Sequence, residues 1–137
     1  MRVRDLMNTE PAVISPKEGL DKGLALMAAR KNRHLMVVDE ASNVVGILSD
    51  QDMAMVYDPR NMTETRWKAI TVEEVMTPNP ITIGSNATIE EAAQNLLKEA
   101  VSALPVVDNG QLVGALSDRD FTRHFAQSAD EREGGGD

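Results

Sequence analysis

The sequence predicts an α+β fold made of two copies of one β-α-β-β-α unit. Three observations carry this. An internal repeat runs through the chain, each copy alternates short apolar runs with a helical spacing, and the second copy contains an Asn-Gly hairpin signal. The repeat is direct. Val3, Met7, Pro11 and Ile14 recur 69 residues later as Val72, Met76, Pro80 and Ile83. Leu35, Val37, Val38 and Asp39 recur at the same offset as Leu104, Val106, Val107 and Asp108. One turn residue is then lost. Val45, Gly46, Leu48, Ser49, Asp50 and Asp52 return as Val113, Gly114, Leu116, Ser117, Asp118 and Asp120. Ordered identities with a single gap mean duplication.

Each unit opens on an apolar run read as a strand, Ala12–Ile14 and Ile81–Ile83. A helix follows, its apolar stripe assigned to Leu20, Leu24, Met27 and Ala28, and to Ile89, Ala93, Leu96, Leu97 and Ala100. Two strands come next, Leu35–Val38 with Val44–Leu48 and Leu104–Val107 with Leu112–Leu116. Asp108-Asn109-Gly110-Gln111 joins the second pair as a tight hairpin, because both central residues tolerate positive φ. The first pair has the longer turn Asp39–Asn43, which accounts for the gap. A last helix starts at Ser49 and again at Ser117. A unit of roughly 60 residues is marginal alone, so two copies are expected to bury each other's apolar faces. The expected boundaries are 1–57 and 72–127 for the repeats, 58–71 for a linker without clear period, and 128–137 for a disordered acidic, Gly-rich tail. Trp67 in the linker is read as packed onto the body.

Composition excludes whole classes of function. With 14 basic against 22 acidic residues, the net charge of −8 opposes general attraction to nucleic acid or anionic lipid. There is no Cys, hence no disulfide, thiolate metal site or thiol catalysis. No stretch approaches a membrane span and no secretory signal opens the chain, so a soluble cytoplasmic protein is expected. Phosphate-loop and dinucleotide glycine motifs are missing, and His34 and His124 lack metal-ligand spacing, so neither enzyme nor metal site is expected.

What remains is the stretch written twice, Val45-Gly-Ile-Leu-Ser-Asp-Gln-Asp52 and Val113-Gly-Ala-Leu-Ser-Asp-Arg-Asp120. One reading is structural. Ser followed three residues later by an acid approximates a capping box at a helix start. The other is functional. A hydroxyl beside free N–H groups suits a phosphate, and a carboxylate held there can accept bonds from the vicinal hydroxyls of a ribose. For Ser both readings hold together; for Asp they compete.

The duplicated pattern V-x-x-[LV]-M…P…I, then L-x-V-V-D, then V-G-x-L-S-x-x-D, with Val101-Ser-Ala-Leu-Pro-Val-Val-Asp108, closely resembles a tandem pair of cystathionine-β-synthase (CBS) domains over residues 1–127. The resemblance implies pseudo-twofold packing of the repeats, two clefts between them, and flat, disk-like homodimers. It also implies regulation of a partner protein by an adenosine-containing ligand (AMP, ADP, ATP or S-adenosylmethionine), with Mg2+ as an accompanying ion. By position, Asp52 and Asp120 match the family's ribose-binding acids, and Ser49 and Ser117 its phosphate-side hydroxyls. The preferred cleft would combine Ser117, Arg119 and Asp120 with Ile14, Ser15, Leu20, Arg33 and His34. The second would combine Ser49 and Asp52 with Ile83, Ser85, Ile89, Val101, Ser102 and Ala103. Ile14, Ile83 and Leu20 serve equally well as core residues. Met36 departs from the pattern, standing where the second copy has Pro105. Two alternatives stay open: a ligand-free dimeric scaffold whose Ser-x-x-Asp stretches are only caps, and a nucleic-acid binder, which the charge disfavours. Met53–Val56, Phe121 and Phe125 supply apolar surface for a dimer.

Overall fold

Val13–Ile14 (β1) lies parallel to His34–Val38 (β2), with Leu20–Arg30 (α2) as the connection. β2 pairs antiparallel with Val44–Ser49 (β3), which leads into Asp50–Met55 (α3). The computed structural model describes residues 1–135. It begins with a single helical turn, Val3–Leu6 (α1). After α3 come Glu64–Ala69 (α4), Val72–Val75 (α5), Thr77–Pro78 (β4), Ile89–Lys98 (α6), Ala103–Asp108 (β5), Gln111–Ser117 (β6) and Asp118–Gly135 (α7). One sheet has the order β1-β2-β3-β4 and the other pairs β5 with β6.

The chain forms two units, and they are drawn crosswise from the sequence. One takes residues 10–80 with the turn 109–112; the other takes residues 1–9, 81–108 and Val113 onward. The start of each repeat therefore belongs to the other repeat's unit. Val72 is fully buried with Ile14, Leu20, Leu35, Val37, Leu48 and Met53, and Val3 is fully buried with Ile83, Leu96, Leu104, Val106 and Leu116. Backbone bonds fix the arms: Val72 N–H donates to the Glu18 carbonyl at 2.8 Å, and Val3 N–H to the Ala87 carbonyl at 2.9 Å.

Several sequence expectations need correction. Ile81–Ile83 is not a strand; Ile83 makes one isolated parallel bridge to Val106. The reason is Pro105. In the first repeat Met36 N–H donates to the Ala12 carbonyl at 2.9 Å, and Pro105, its counterpart, has no N–H to give. The helix stripes are also shifted. In α2 the buried positions are Leu20 and Gly23, with Leu26 and Met27 half-buried, while Leu24 and Ala28 are exposed. In α6 they are Ala92 and Leu96; Leu97 is 83% exposed, and Ala100 lies beyond the helix at φ 53°.

The 58–71 segment contains α4, capped by Thr63 Oγ1 accepting from Arg66 N–H at 3.2 Å, and Trp67 packs against the first repeat's core. α7 continues to Gly135, where a tail beginning at 128 was expected; Ser128–Glu133 holds no helix breaker, and extending a formed helix is cheap. Residues 136–137 of that expected tail lie outside the described residues. Among the described residues, no helix is long and apolar enough to cross a membrane.

Candidate functional site

The Ser-x-x-Asp stretches stand where β3 and β6 end and a helix begins. At the first, the Ser49 hydroxyl accepts from Asp52 N–H at 3.1 Å, and Asp52 Oδ2 accepts from Ser49 N–H at 2.9 Å. The capping box is therefore built. At the second, Asp120 Oδ2 accepts from Ser117 N–H at 2.8 Å and from the Ser117 hydroxyl at 3.2 Å. In both, the bonds to the Ser use one carboxylate oxygen. Asp52 Oδ1 accepts a long bond from Thr77 Oγ1, at 3.4 Å. Thr77 gave no signal in the sequence, because β4 is only two residues long.

β2 brings Arg33 and His34 beside the first Ser-x-x-Asp stretch, since His34 opposes Ser49 in the ladder. Asp50 N–H donates to the Arg33 carbonyl at 3.1 Å, and Arg33 Nε lies 3.0 Å from Asp50 Oδ2. This ion pair is largely exposed, so its net contribution is small, about 0–1 kcal/mol. An arriving phosphate would compete with Asp50 for Arg33. His34 N–H donates to Asn32 Oδ1 at 3.2 Å. The second repeat repeats the backbone contact: Asp118 N–H donates to the Ser102 carbonyl at 3.0 Å. Arg119 is exposed on the first turn of α7.

The apolar candidates divide. Ile14, Leu20, Ile83 and Ala103 are buried, the first three within the core clusters; Leu20, fully buried, offers a ligand no surface. Val101 is exposed, and Ile89 and Ser102 are half-buried. The Ser15 hydroxyl accepts from Lys17 N–H at 3.3 Å. Ser85 is tied to a residue the sequence reading missed. Its N–H donates to Asp108 Oδ1 at 2.9 Å and its hydroxyl to Asp108 Oδ2 at 2.5 Å. The Ser85 hydroxyl, and after it the Ser85 amide, hold the Asp108 carboxyl below its ordinary range against a smaller opposing effect of burial. Asp39, the counterpart in the first repeat, instead accepts from Ala41 and Asn43 N–H at 3.0 and 2.9 Å within its own longer turn. Among the described residues, no group of His, Asp or Glu is placed to hold a metal ion.

Known proteins share this fold. CBSX2 of Arabidopsis thaliana, solved in complex with AMP, is 29% identical, with a TM-score of 0.79 over 93% of this chain and 98% of that one. The CBS domain pair of protein MJ0100, solved with 5′-methylthioadenosine and S-adenosyl-L-methionine, is 25% identical, with a TM-score of 0.79 and coverage of 93% and 98%. The CBS domain-containing protein YhcV of Bacillus subtilis is 29% identical over 84% of this chain. The chain spans 61% of the full CBSX2 sequence and 79% of YhcV. The family model of the CBS domain matches residues 3–58 and 72–127. The chain belongs to the CBS domain family, as a tandem pair of CBS domains.

Proposed function

We propose that this chain is a non-enzymatic regulatory module that takes an adenosine-containing ligand and acts on a separate partner protein. The observation that carries the reading is the Ser–Asp pair at the start of α3 and of α7, each Asp accepting from the amide of its Ser. Each box fixes a carboxylate by one oxygen, and a carboxylate so held is a charge-assisted acceptor for the paired hydroxyls of a ribose. AMP, 5′-methylthioadenosine and S-adenosyl-L-methionine, held by CBSX2 and MJ0100, have the adenosine unit in common, which supports the same class of ligand here. The Ser117–Asp120 stretch is the better phosphate site, with Asp120 for the ribose and Ser117 on the phosphate side, because Arg119 offers a planar fork where the first stretch has Gln51. A homodimer goes with this reading, since Met55 (86% exposed) and Phe125 (53% exposed) leave apolar surface on α3 and α7.

Thermal-shift titration with AMP, ADP, ATP with Mg2+, and S-adenosylmethionine tests the reading. A ligand at one hundred times its Kd stabilises the folded chain by about 2.7 kcal/mol. Calorimetry is expected to show Asp120→Ala and Arg119→Ala weakening the tighter event by about 1.5–3 kcal/mol, the range for a charged hydrogen bond. No shift with any of the four leaves the scaffold reading in its place. Loss of the tighter event in Asp52→Ala alone reverses the order of the two sites.

A further inference from the structure

We propose that the corner between β1 and α2 is a second ligand site, for a free amino acid with a branched aliphatic side chain. A depression of about 360 Å3 opens there, floored by Val13, Ile14, Leu26 and Val38 and edged by Ser15, Glu18 and Lys22. That volume stands at the small end of the roughly 300–1,000 Å3 typical of ligand pockets, which suits a molecule smaller than a nucleotide.

The opening has a cause in the sequence. In the second repeat Asp108 ends β5, which turns at once through Asn109-Gly110, and its carboxylate bonds Ser85 and ties that strand end to the loop before α6. The first repeat has one more turn residue, and Asp39 spends its carboxylate on Ala41 and Asn43. The loop before α2 is reached instead by an exposed Lys17–Glu40 pair at 3.9 Å, and Val13 stays 50% exposed at the depression.

The edge supplies matched charges. Glu18 Oε1 and Lys22 Nζ lie 3.2 Å apart, a fixed carboxylate beside a fixed ammonium. A ligand ammonium pairs with Glu18, a ligand carboxylate with Lys22, and the branched side chain covers Val13, Leu26 and Val38. A phosphate or a simple fatty acid could pair with Lys22 but would leave Glu18 without a ligand cation. Ile14 and Ser15 also stand in the nucleotide reading, whereas Glu18, Lys22, Leu26 and Val38 do not.

Titration of the full chain with L-leucine, followed by amide chemical shifts, is expected to move Val13, Ser15, Lys22, Leu26 and Val38 on one saturable curve. Isocaproate and isoamylamine, which each lack one of the two charges, are expected to bind about tenfold more weakly or worse, the loss of one charged hydrogen bond. Lys22→Met and Glu18→Gln, both on partly exposed side chains, should each weaken leucine about tenfold while AMP binding and the fold stay unchanged. Isocaproate binding as well as leucine, or no saturable movement up to about 50 mM leucine, overturns the proposal. So does displacement of leucine by AMP, which would return the corner to the nucleotide site. If AMP does not bind at all, the leucine curve is still expected, so the two readings fail separately.

Discussion

Ser85 and Asp108 show how one side-chain pair separates two nearly identical repeats. Asp39 follows β2 and Asp108 ends β5, yet Asp108 bonds the loop before α6 while Asp39 bonds within its own turn. A carboxyl held low favours the folded chain in its ionised form. Its contribution is complete above the unfolded value, near about 3.9, and is lost as pH falls through the lower folded value. NMR titration is expected to show Asp108 moving up toward the ordinary carboxylate range in Ser85→Ala, with the acid limb of the stability curve losing that dependence. An unmoved Asp108 would mean that the hydroxyl is not the cause.

Asp52 and Asp120 test differently, because each bonds the amide of the Ser at a helix start and is proposed to bind ligand. Alanine at either position is expected to cost about 1 kcal/mol of stability in denaturant unfolding, the usual size of a lost cap. Asparagine keeps an acceptor for the Ser amide and should retain most of that stability while losing AMP affinity. Stability and binding that fall together in asparagine and alanine alike would make the box purely structural.

At the scale of elements, the pairing of the arms with β3 and β6 depends on two glycines. A Cβ on Gly114 would stand 2.7 Å from Met7 Sδ and 2.8 Å from the Asn8 carbonyl. A Cβ on Gly46 would meet Met76 Sδ, with the Thr77 carbonyl at 3.0 Å. A sulfur at the end of a flexible side chain can move; a carbonyl in a backbone bridge cannot without breaking it. Gly114→Ala is therefore expected to destabilise by about 1–3 kcal/mol. Adding Met7→Ala should recover only part, because the Asn8 carbonyl stays. Full recovery would assign the whole clash to the sulfur.

The whole molecule is assembled crosswise, and this has a direct consequence. Val3 lies next to the first repeat's strands in sequence but is buried among second-repeat residues, and Val72 has the reverse placement. Val3→Ala removes two buried methyl groups, worth about 0.8 kcal/mol each before any cavity cost. Hydrogen exchange is expected to rise at the amides of α6, β5 and β6 in this variant, and at α2, β2 and β3 in Val72→Ala. The opposite pattern would mean that each arm serves its own repeat. Light scattering checks the proposed homodimer: a mass near the 14.9 kDa of one chain at all concentrations would remove it.

The sequence by itself determined the duplication, the α+β order of elements, the Asn109-Gly110 turn and the Ser-x-x-Asp boxes. These are local matters: a turn needs positive φ at adjacent residues, here 51° and 79°, and a cap needs its acid three residues after its hydroxyl. Only the tertiary structure decided the rest. Periodicity located the helices but misjudged which side faces the core, because Leu24 and Leu97 fit an apolar stripe as well as the buried Gly23 and Ala92 do, and burial depends on where the sheet lies. Pro105 was noticed, but its cost to the first strand of the second repeat depended on which residue lay opposite it. The exchange of arms, the tie between Ser85 and Asp108, and the pairing of Arg33 with Asp50 each join residues far apart in the chain. No spacing rule specifies such contacts; the packing that brings the residues together does.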